Sequence, residues 1–257
     1  MNILFTICGR SGSKGVKNKN CKDFLGVPLI NYTLAAITLY QEQQTGDIIY
    51  VCLNTDSEEL IALTHKQYPN IDIVPRDSKL AGDNVAKLPV IQDSLRQMEV
   101  IRNTHYDCVV DLDITSPLRT VQYIKEAIEK RQSGDYDVVF SVTEARRNPY
   151  FNMVKLNSDG SCEKVIQSNY TARQQAPALF DMNASIYAYD PEFLKTNTSG
   201  LLFDGKCSFI EMPDTGILDI DSERDFFMLE AIATHIATHD KNFTIVVKEA
   251  KKETNNE

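Results

Sequence analysis

The 257-residue sequence has no apolar run approaching the roughly 20 residues that a membrane-spanning helix needs. Its first residues pass straight into an apolar, β-branched stretch without the charged-then-apolar layout of a secretory leader, so a cytoplasmic location is expected. Its six cysteines (Cys8, Cys21, Cys52, Cys108, Cys162 and Cys207) form no Cys-x-x-Cys pair. Cys8, Cys52 and Cys108 fall in candidate core strands, so free thiols acting as small hydrophobes are expected rather than disulfides or a thiolate metal site. Cations are scarce: 27 Lys and Arg stand against 36 Asp and Glu, a net charge of −9. That balance argues against a nucleic-acid coat and against a polybasic membrane binder. His235 and His239 lie one helical turn apart, but no HExxH glutamate accompanies them, and an exposed helix face is expected rather than zinc. There is no internal repeat, and the only biased segment is the polar end "KKETNNE".

What is present is an alternation of strand and helix patterns. "NILFTIC", "DIIYVCLNT", "DIVP", "YDCVVDLDI" and "DVVFSVT" read as strands. Between them, "PLINYTLAAITLYQ", "DSEELIALTHKQY", "AKLPVIQDSLRQMEVIRN" and "TVQYIKEAIEKRQ" read as helices. This rhythm predicts an α/β fold with a mostly parallel sheet and helices on both faces. From about Arg146 to Asp190 the rhythm changes, with a hairpin around "NSDG". A β lobe inserted at about 146–190 is expected within one domain spanning 1–240, followed by a polar tail at 241–257.

The first loop concentrates what the rest of the chain lacks. Between Gly9 and Lys22 there are five cations (Arg10, Lys14, Lys17, Lys19 and Lys22) and no acid. The loop follows a buried strand, where open α/β sheets place ligands. "GRSGSKG" matches neither the Walker A spacing nor GxGxxG. Gly9, Gly12 and Gly15 would let backbone N–H groups approach anionic oxygens, and Arg10, Lys14 and Lys19 would neutralise several charges at once. A triphosphate suits that density. Two acidic pairs could hold a divalent cation, Asp219 with Asp221 and Asp111 with Asp113, because residues two apart in an extended chain face the same side.

"GRSGSKGVKNKN", "LDITSPLR", "RQQAPALFDMNASIY" and "DIDSERD", in that order over about 220 residues, resemble the acylneuraminate cytidylyltransferases, which make CMP-nonulosonic acids. The pattern is most similar to the legionaminic acid cytidylyltransferases. The resemblance implies a Rossmann-like nucleotidyltransferase fold and transfer of CMP from CTP to the anomeric 2-hydroxyl of the sugar, with release of pyrophosphate. It implies CTP contacts at Arg10, Gly12, Ser13, Lys14, Lys19, Asn20, Arg76 and Lys87, with Arg10, Lys19 and Asp221 carrying catalysis. Asp219 and Asp221 would hold Mg²⁺, or Mn²⁺ in its place. On the sugar side stand Asp113, Thr115, Ser116, Arg173, Gln174, Asn183 and Tyr187; for Tyr187 a core strand position is an equal reading. The inserted lobe resembles the arm through which relatives form a domain-swapped homodimer.

Three positions depart from the family pattern. Many relatives carry Ser or Thr where Lys87 stands, sialic acid relatives carry Gln where Asp113 stands, and some carry Lys where Phe151 stands. An acceptor-only carboxylate in place of an amide would change which sugar group is recognised. Asp113 and Phe151 together suggest a sugar less hydroxylated than sialic acid. The alternatives are a CMP-N-acetylneuraminate synthetase, a nucleotidyltransferase acting on a sugar 1-phosphate, and a nucleotide-binding regulator without turnover.

Overall fold

The computed structural model describes residues 1–12, 16, 18–44, 46–82, 85–213, 220 and 222–252. In chain order the elements are β1 (Asn2–Gly9), the short pair β2 (Asp23–Phe24) and β3 (Val27–Pro28), α1 (Ile30–Gln43), β4 (Ile48–Thr55), α2 (Glu58–Gln67), β5 (Asp72–Pro75) and α3 (Lys87–Arg102). They continue with β6 (Cys108–Leu112), α4 (Val121–Ser133), β7 (Val138–Glu144), the hairpin β8 (Val154–Leu156) and β9 (Cys162–Lys164), then β10 (Phe180–Tyr189). Last come α5 (Pro191–Thr196), β11 (Cys207–Glu211), α6 (Glu223–His239) and α7 (Lys241–Ala250).

Seven strands form one sheet in the order β11-β7-β10-β6-β1-β4-β5. β1 is parallel to β4 and β6, β4 to β5, and β7 to β11, while β10 is antiparallel to both neighbours. Every strand except β10 therefore ends at the same edge, and the loops there share one face of the molecule. This is the mostly parallel sheet that the alternation predicts.

Side-chain alternation divides the core in two. Ile3, Phe5 and Ile7 of β1 and Cys108, Val110 and Leu112 of β6 pack with α1, α4, α6 and α7. Leu4 and Val109 point the other way, into the layer of α3 and α5. Helix α1 is buried nearly all round, from Ile30 to Tyr40, as befits a central core helix. Helix α2 begins at Ser57, whose hydroxyl accepts from Leu60 N at 3.2 Å, and Glu58 and Glu59 complement its dipole.

Two expectations are corrected. Residues 241–250 are not tail but helix α7, in which Phe243, Val246 and Ala250 are buried at helical spacing against the core. Asp240 caps it, accepting from Asn242 N at 2.8 Å, and Asn31 Nδ2 donates to Ala250 O at 3.3 Å. The domain therefore extends past 240. The lobe is also shorter than 146–190, because Phe180–Tyr189 is a strand of the main sheet between β6 and β7. The β8–β9 hairpin, turning at Gly160 with φ 84°, is the regular part of what remains. The sequence shows only 184–189 as a strand, and within the lobe, because β10 is bulged: between Met182 and Tyr187 its register with β7 shifts, and Ala184 adopts φ 53°.

Candidate functional site

The first loop leaves β1 through a crowded point. A Cβ on Gly9 would lie 2.5 Å from Leu60 Cδ2 and 3.0 Å from Ile114 Cδ1, so a glycine lets α2 and the β6 loop close over the strand end. Gly12 has φ 73°, the left-handed region that glycine adopts without strain. Ser11 donates from N and Oγ to the two carboxylate oxygens of Asp56, each at 2.7 Å. Burial opposes charge on Asp56, but these bonds prevail and hold its carboxyl below the ordinary range. Asn20 Nδ2 donates to Arg10 O at 3.5 Å. Lys19 Nζ donates to Ile220 O, and Lys22 pairs with Glu223 while lying 4.2 Å over the Phe226 ring. The loop is thus fastened to α2 on one side and to the start of α6 on the other.

A cavity of about 250 Å³ lies here, lined by Arg10, Ser11, Gly12, Asn20, Asp56 and Ser57 among others. Ser13, Lys14, Asp219 and Asp221 lie outside the described residues. Ile220, between the two aspartates in sequence, is fully buried. Arg76, the base-reading candidate, is anchored at the ends of β4 and β5: Nε donates to Asn54 Oδ1 at 2.8 Å and Nη2 to Asn54 O at 2.9 Å.

A second polar cluster forms after β6. The alternation that puts Leu4 and Val109 under α3 also puts Thr6, Cys8 and Asp111 there. Lys87, the first residue of α3, places Nζ 2.6 Å from Asp111 Oδ2 and 2.8 Å from Asp113 Oδ2. Asp111 Oδ1 accepts from Thr6 Oγ1 at 2.8 Å, and the Cys8 thiol approaches it at 3.5 Å. Burial and the Asp111 charge push the Cys8 thiol far above its ordinary range, so it is a thiol and not a nucleophile. Thr115 donates to Asp113 Oδ1 from N at 3.0 Å and from Oγ1 at 2.8 Å. Burial opposes charge on Asp113, but the Lys87 ammonium and the Thr115 bonds outweigh it and hold the carboxyl well below the carboxylate range. Burial likewise opposes charge on Lys87, and Asp111 and Asp113 together raise it well above a normal lysine.

Both oxygens of Asp113 are thus engaged within the protein, Oδ1 by Thr115 and Oδ2 by Lys87. The Asp111–Asp113 pair likewise already holds an ammonium and does not fit a divalent cation. Among the described residues no group of three His, Cys, Asp or Glu could hold a metal ion.

Behind this cluster sits Arg119, fully buried, which the sequence reading quoted within "LDITSPLR" without giving it a role. Nε donates to Ser185 Oγ at 3.2 Å, Nη1 to Thr33 Oγ1 at 2.8 Å, and Nη2 to Asp113 O. Burial lowers its pKa to about 10, with Asp113 and Asp111 opposing, so it stays charged at neutral pH. The usable signal was a guanidinium between an apolar strand and an amphipathic helix.

The remaining sugar-side candidates divide into those that support backbone and those at the surface. Asn183 is buried at the β10 bulge, where Oδ1 accepts from Ser141 Oγ at 2.5 Å and from Ser185 N at 3.3 Å. Ser116 Oγ donates to Asn183 O at 3.4 Å. Tyr187 sits in the sheet, its ring stacked on Tyr189 at 6.0 Å and tilted against Phe140 at 6.2 Å. Arg173 and Gln174 are exposed. Arg173 Nη2 donates to Glu144 Oε1 at 3.0 Å and Ala145 O at 3.1 Å. It lines a cavity of about 530 Å³ with Arg146, Arg147, Glu211 and Met212. His235 and His239 stack at 4.3 Å on an exposed part of α6.

Comparison with known proteins bears on the chemistry. A family model described as "Cytidylyltransferase" matches residues 4–256. The chain is 36% identical over 244 residues to a CMP-N,N'-diacetyllegionaminic acid synthase of Campylobacter jejuni, covering 94% of this chain and 99% of that protein. It is 35% identical over 241 residues to post-translational flagellin modification protein B of Campylobacter coli, with 94% and 99% covered. Among solved structures, a CMP:2-keto-3-deoxy-manno-octonic acid synthetase complexed with CTP superposes with a TM-score of 0.62 at 15% identity, over 91% of this chain and 99% of that one. The last likeness establishes the fold.

Proposed function

Since the chain belongs to the cytidylyltransferase family, we propose that it transfers CMP from CTP to the anomeric 2-hydroxyl of a nonulosonic acid, legionaminic acid above others. The observation that carries this reading is the basic loop at the end of β1, bent at Gly12, bound to Asp56 and tied through Lys19 to Ile220. The relative that makes CMP-N,N'-diacetyllegionaminic acid supplies the sugar. The sugar hydroxyl oxygen attacks the α-phosphorus of CTP; the new C2–O–P link forms as the bond from the α-phosphorus to the bridging oxygen breaks, and pyrophosphate leaves. Arg10, Lys14 and Lys19, with Gly12, Ser13 and Asn20, balance the charge that gathers on the phosphates. Arg76 and the backbone near Gly82 to Ala86 hold the base. Asp221 takes the hydroxyl proton.

Asp219 and Asp221 are hard oxygen donors suited to Mg²⁺ or Mn²⁺, and Ile220 between them is buried with its carbonyl on Lys19, beside the loop that would receive the triphosphate. When bound, the ion would lower the hydroxyl's pKa and polarise the phosphate. Arg173, beside Arg146 and Arg147, supplies charge for the sugar carboxylate.

The lobe supports a homodimer: Met153, Val154, Leu156, Val165, Ile166, Phe180 and Met182 are exposed apolar residues in or beside it. Light scattering checks that assembly, and a monomer would remove it. No helix among the described residues is long and apolar enough to cross a membrane.

The reaction is tested by pyrophosphate release with CTP and Mg²⁺ across legionaminic, N-acetylneuraminic, pseudaminic and 3-deoxy-manno-octulosonic acids. Strongest release with legionaminic acid is expected. Preference for N-acetylneuraminic acid would make the protein a CMP-sialate synthetase, and silence across the panel, with turnover of a sugar 1-phosphate, would overturn the reading.

A further inference from the structure

Asp56, Glu58 and Glu59 crowd the start of α2, directly beside a loop read above as the seat of a polyanion. Helix capping does not explain Asp56, because Ser57 is the cap and its hydroxyl already accepts from Leu60 N at 3.2 Å. The Asp56 carboxylate turns to the loop instead. Oδ1 accepts from Ser11 N and Oδ2 from Ser11 Oγ, each at 2.7 Å. Further along the same loop, Asn18, at φ 51°, donates from Nδ2 to Glu59 Oε2 at 3.0 Å.

Between these two contacts Val16 is buried in the core layer that also holds Leu60 of α2, and Lys19 N donates to Val16 O at 3.2 Å. Ser11, Val16 and Asn18 are therefore three fixed points of the segment that carries Arg10, Lys14 and Lys19, and α2 supplies a carboxylate at two of them. The chain takes its left-handed turn at Gly12, φ 73°, immediately after Ser11, so the Asp56 clamp sets where the chain beyond Gly12 begins. Ser11, Asn18, Asp56 and Glu59 are all exposed, so these bonds matter little to global stability.

Electrostatics alone would remove these carboxylates. Each repels a triphosphate, and the nearby cations, Arg76 and those of the loop, offset that repulsion without changing its sign. Hydrogen-bond counting gives the same answer, because the Ser11 hydrogens given to Asp56 are not given to phosphate. Charge and donor supply therefore both predict tighter CTP binding without Asp56. Preorganisation predicts the reverse, since donors held in place before the ligand arrives spare the cost of ordering the loop.

We propose that Asp56 is a positioning residue for the nucleotide triphosphate, acting through Ser11, and that Glu59, acting through Asn18, holds the other end of the same loop. The inference rests on the cytidylyltransferase reading above.

The test measures the Kd for CTP by titration calorimetry, KM for CTP and for N,N'-diacetyllegionaminic acid in the presence of Mg²⁺, and the urea unfolding midpoint. In Asp56→Ala the Kd and KM for CTP are expected to rise about 10- to 100-fold, as for loss of a charged hydrogen-bond pair, while the KM for the sugar stays within about twofold and the unfolding midpoint is unchanged. Asp56→Asn keeps an acceptor for Ser11 N and places a donor opposite Ser11 Oγ, so it recovers most of the loss. Glu59→Ala weakens CTP by a smaller factor. Ser11→Ala removes one of the two bonds and keeps the carboxylate; it weakens CTP in part, and the Ser11→Ala/Asp56→Ala double variant is no worse than Asp56→Ala, because both act on one contact. A Kd for CTP that falls or stays the same in Asp56→Ala would overturn the assignment, as would an Asn variant as weak as the Ala variant or a double variant whose losses multiply. Should Asp56→Ala fail to fold, Asp56→Asn with Ser11→Ala carries the same comparison. A wild type that binds CTP but releases no pyrophosphate with any nonulosonic acid would sink the sugar reading and leave Asp56 to be decided by CTP affinity, whereas a wild type that does not bind CTP would sink both.

Discussion

The loop after β1 and the cluster after β6 lie at the same edge of the sheet, each following a buried strand and each rich in cations, yet they use charge differently. In the loop, Lys19 and Lys22 bind a backbone carbonyl and an exposed carboxylate, and Arg10 borders a surface cavity. In the cluster, Arg119 is buried against two hydroxyls and a carbonyl, and Lys87 is clamped by two carboxylates. Cations near the surface can meet an arriving polyanion, whereas cations paired inside the fold set the shape and donor pattern of a pocket.

The difference is broken most severely at Arg119. Arg119→Met should cost about 3–5 kcal/mol in urea unfolding, because it removes the charged donor from Thr33 Oγ1, Ser185 Oγ and Asp113 O and leaves Asp113 O with the 3.3 Å bond from Thr33 Oγ1 in its place. If that variant unfolds like the wild type, the cluster is not structural. Lys19→Met should lower kcat/KM for CTP by about 10²- to 10³-fold and change stability little. An unchanged kcat/KM would remove the loop from the chemistry.

A third comparison uses pH. The folded pKa of Asp113 lies below its unfolded value of about 3.9, so its stabilisation is present above that pH and is lost as pH falls through it. The folded pKa of Lys87 lies above about 10.4, so its contribution is present below that pH and is lost as pH rises beyond it. Unfolding free energy should therefore hold a plateau from about pH 4 to about pH 8, where ionisation of the Cys8, Cys52 and Cys108 thiols in the unfolded chain begins to lower it, and Asp113→Asn should flatten the acid limb. An acid limb unchanged in that variant would mean other carboxylates dominate. The smallest effect is expected at Lys22→Ala, about 1 kcal/mol or less, since Lys22 is partly and Glu223 largely open to solvent.

Much of this was legible in the sequence. Apolar runs alternating with amphipathic stretches announced the sheet, and five cations around three glycines announced the loop. Three features were not legible, each for a physical reason. The charges of "KNFTIVVKEA" hide the stripe of Phe243, Val246 and Ala250, so α7 reads as polar tail. The bulge at residues 183–186 breaks the period-two pattern of β10, so a central strand reads as part of an inserted lobe. The Lys87–Asp113 contact joins the start of one helix to the end of one strand, a pairing that only the fold creates. From sequence alone Asp113 looked like a sugar ligand, and Arg119, in the same motif, received no role.

The most direct test of the account is the bond that the reaction makes. N,N'-diacetyllegionaminic acid labelled with ¹³C at C2 would be incubated with CTP, Mg²⁺ and the protein, and followed by ¹³C and ³¹P NMR. The account predicts that the C2 resonance acquires coupling to a single phosphorus as one equivalent of pyrophosphate appears. Pyrophosphate without that coupling, or phosphorus attached through another oxygen of the sugar, would contradict it.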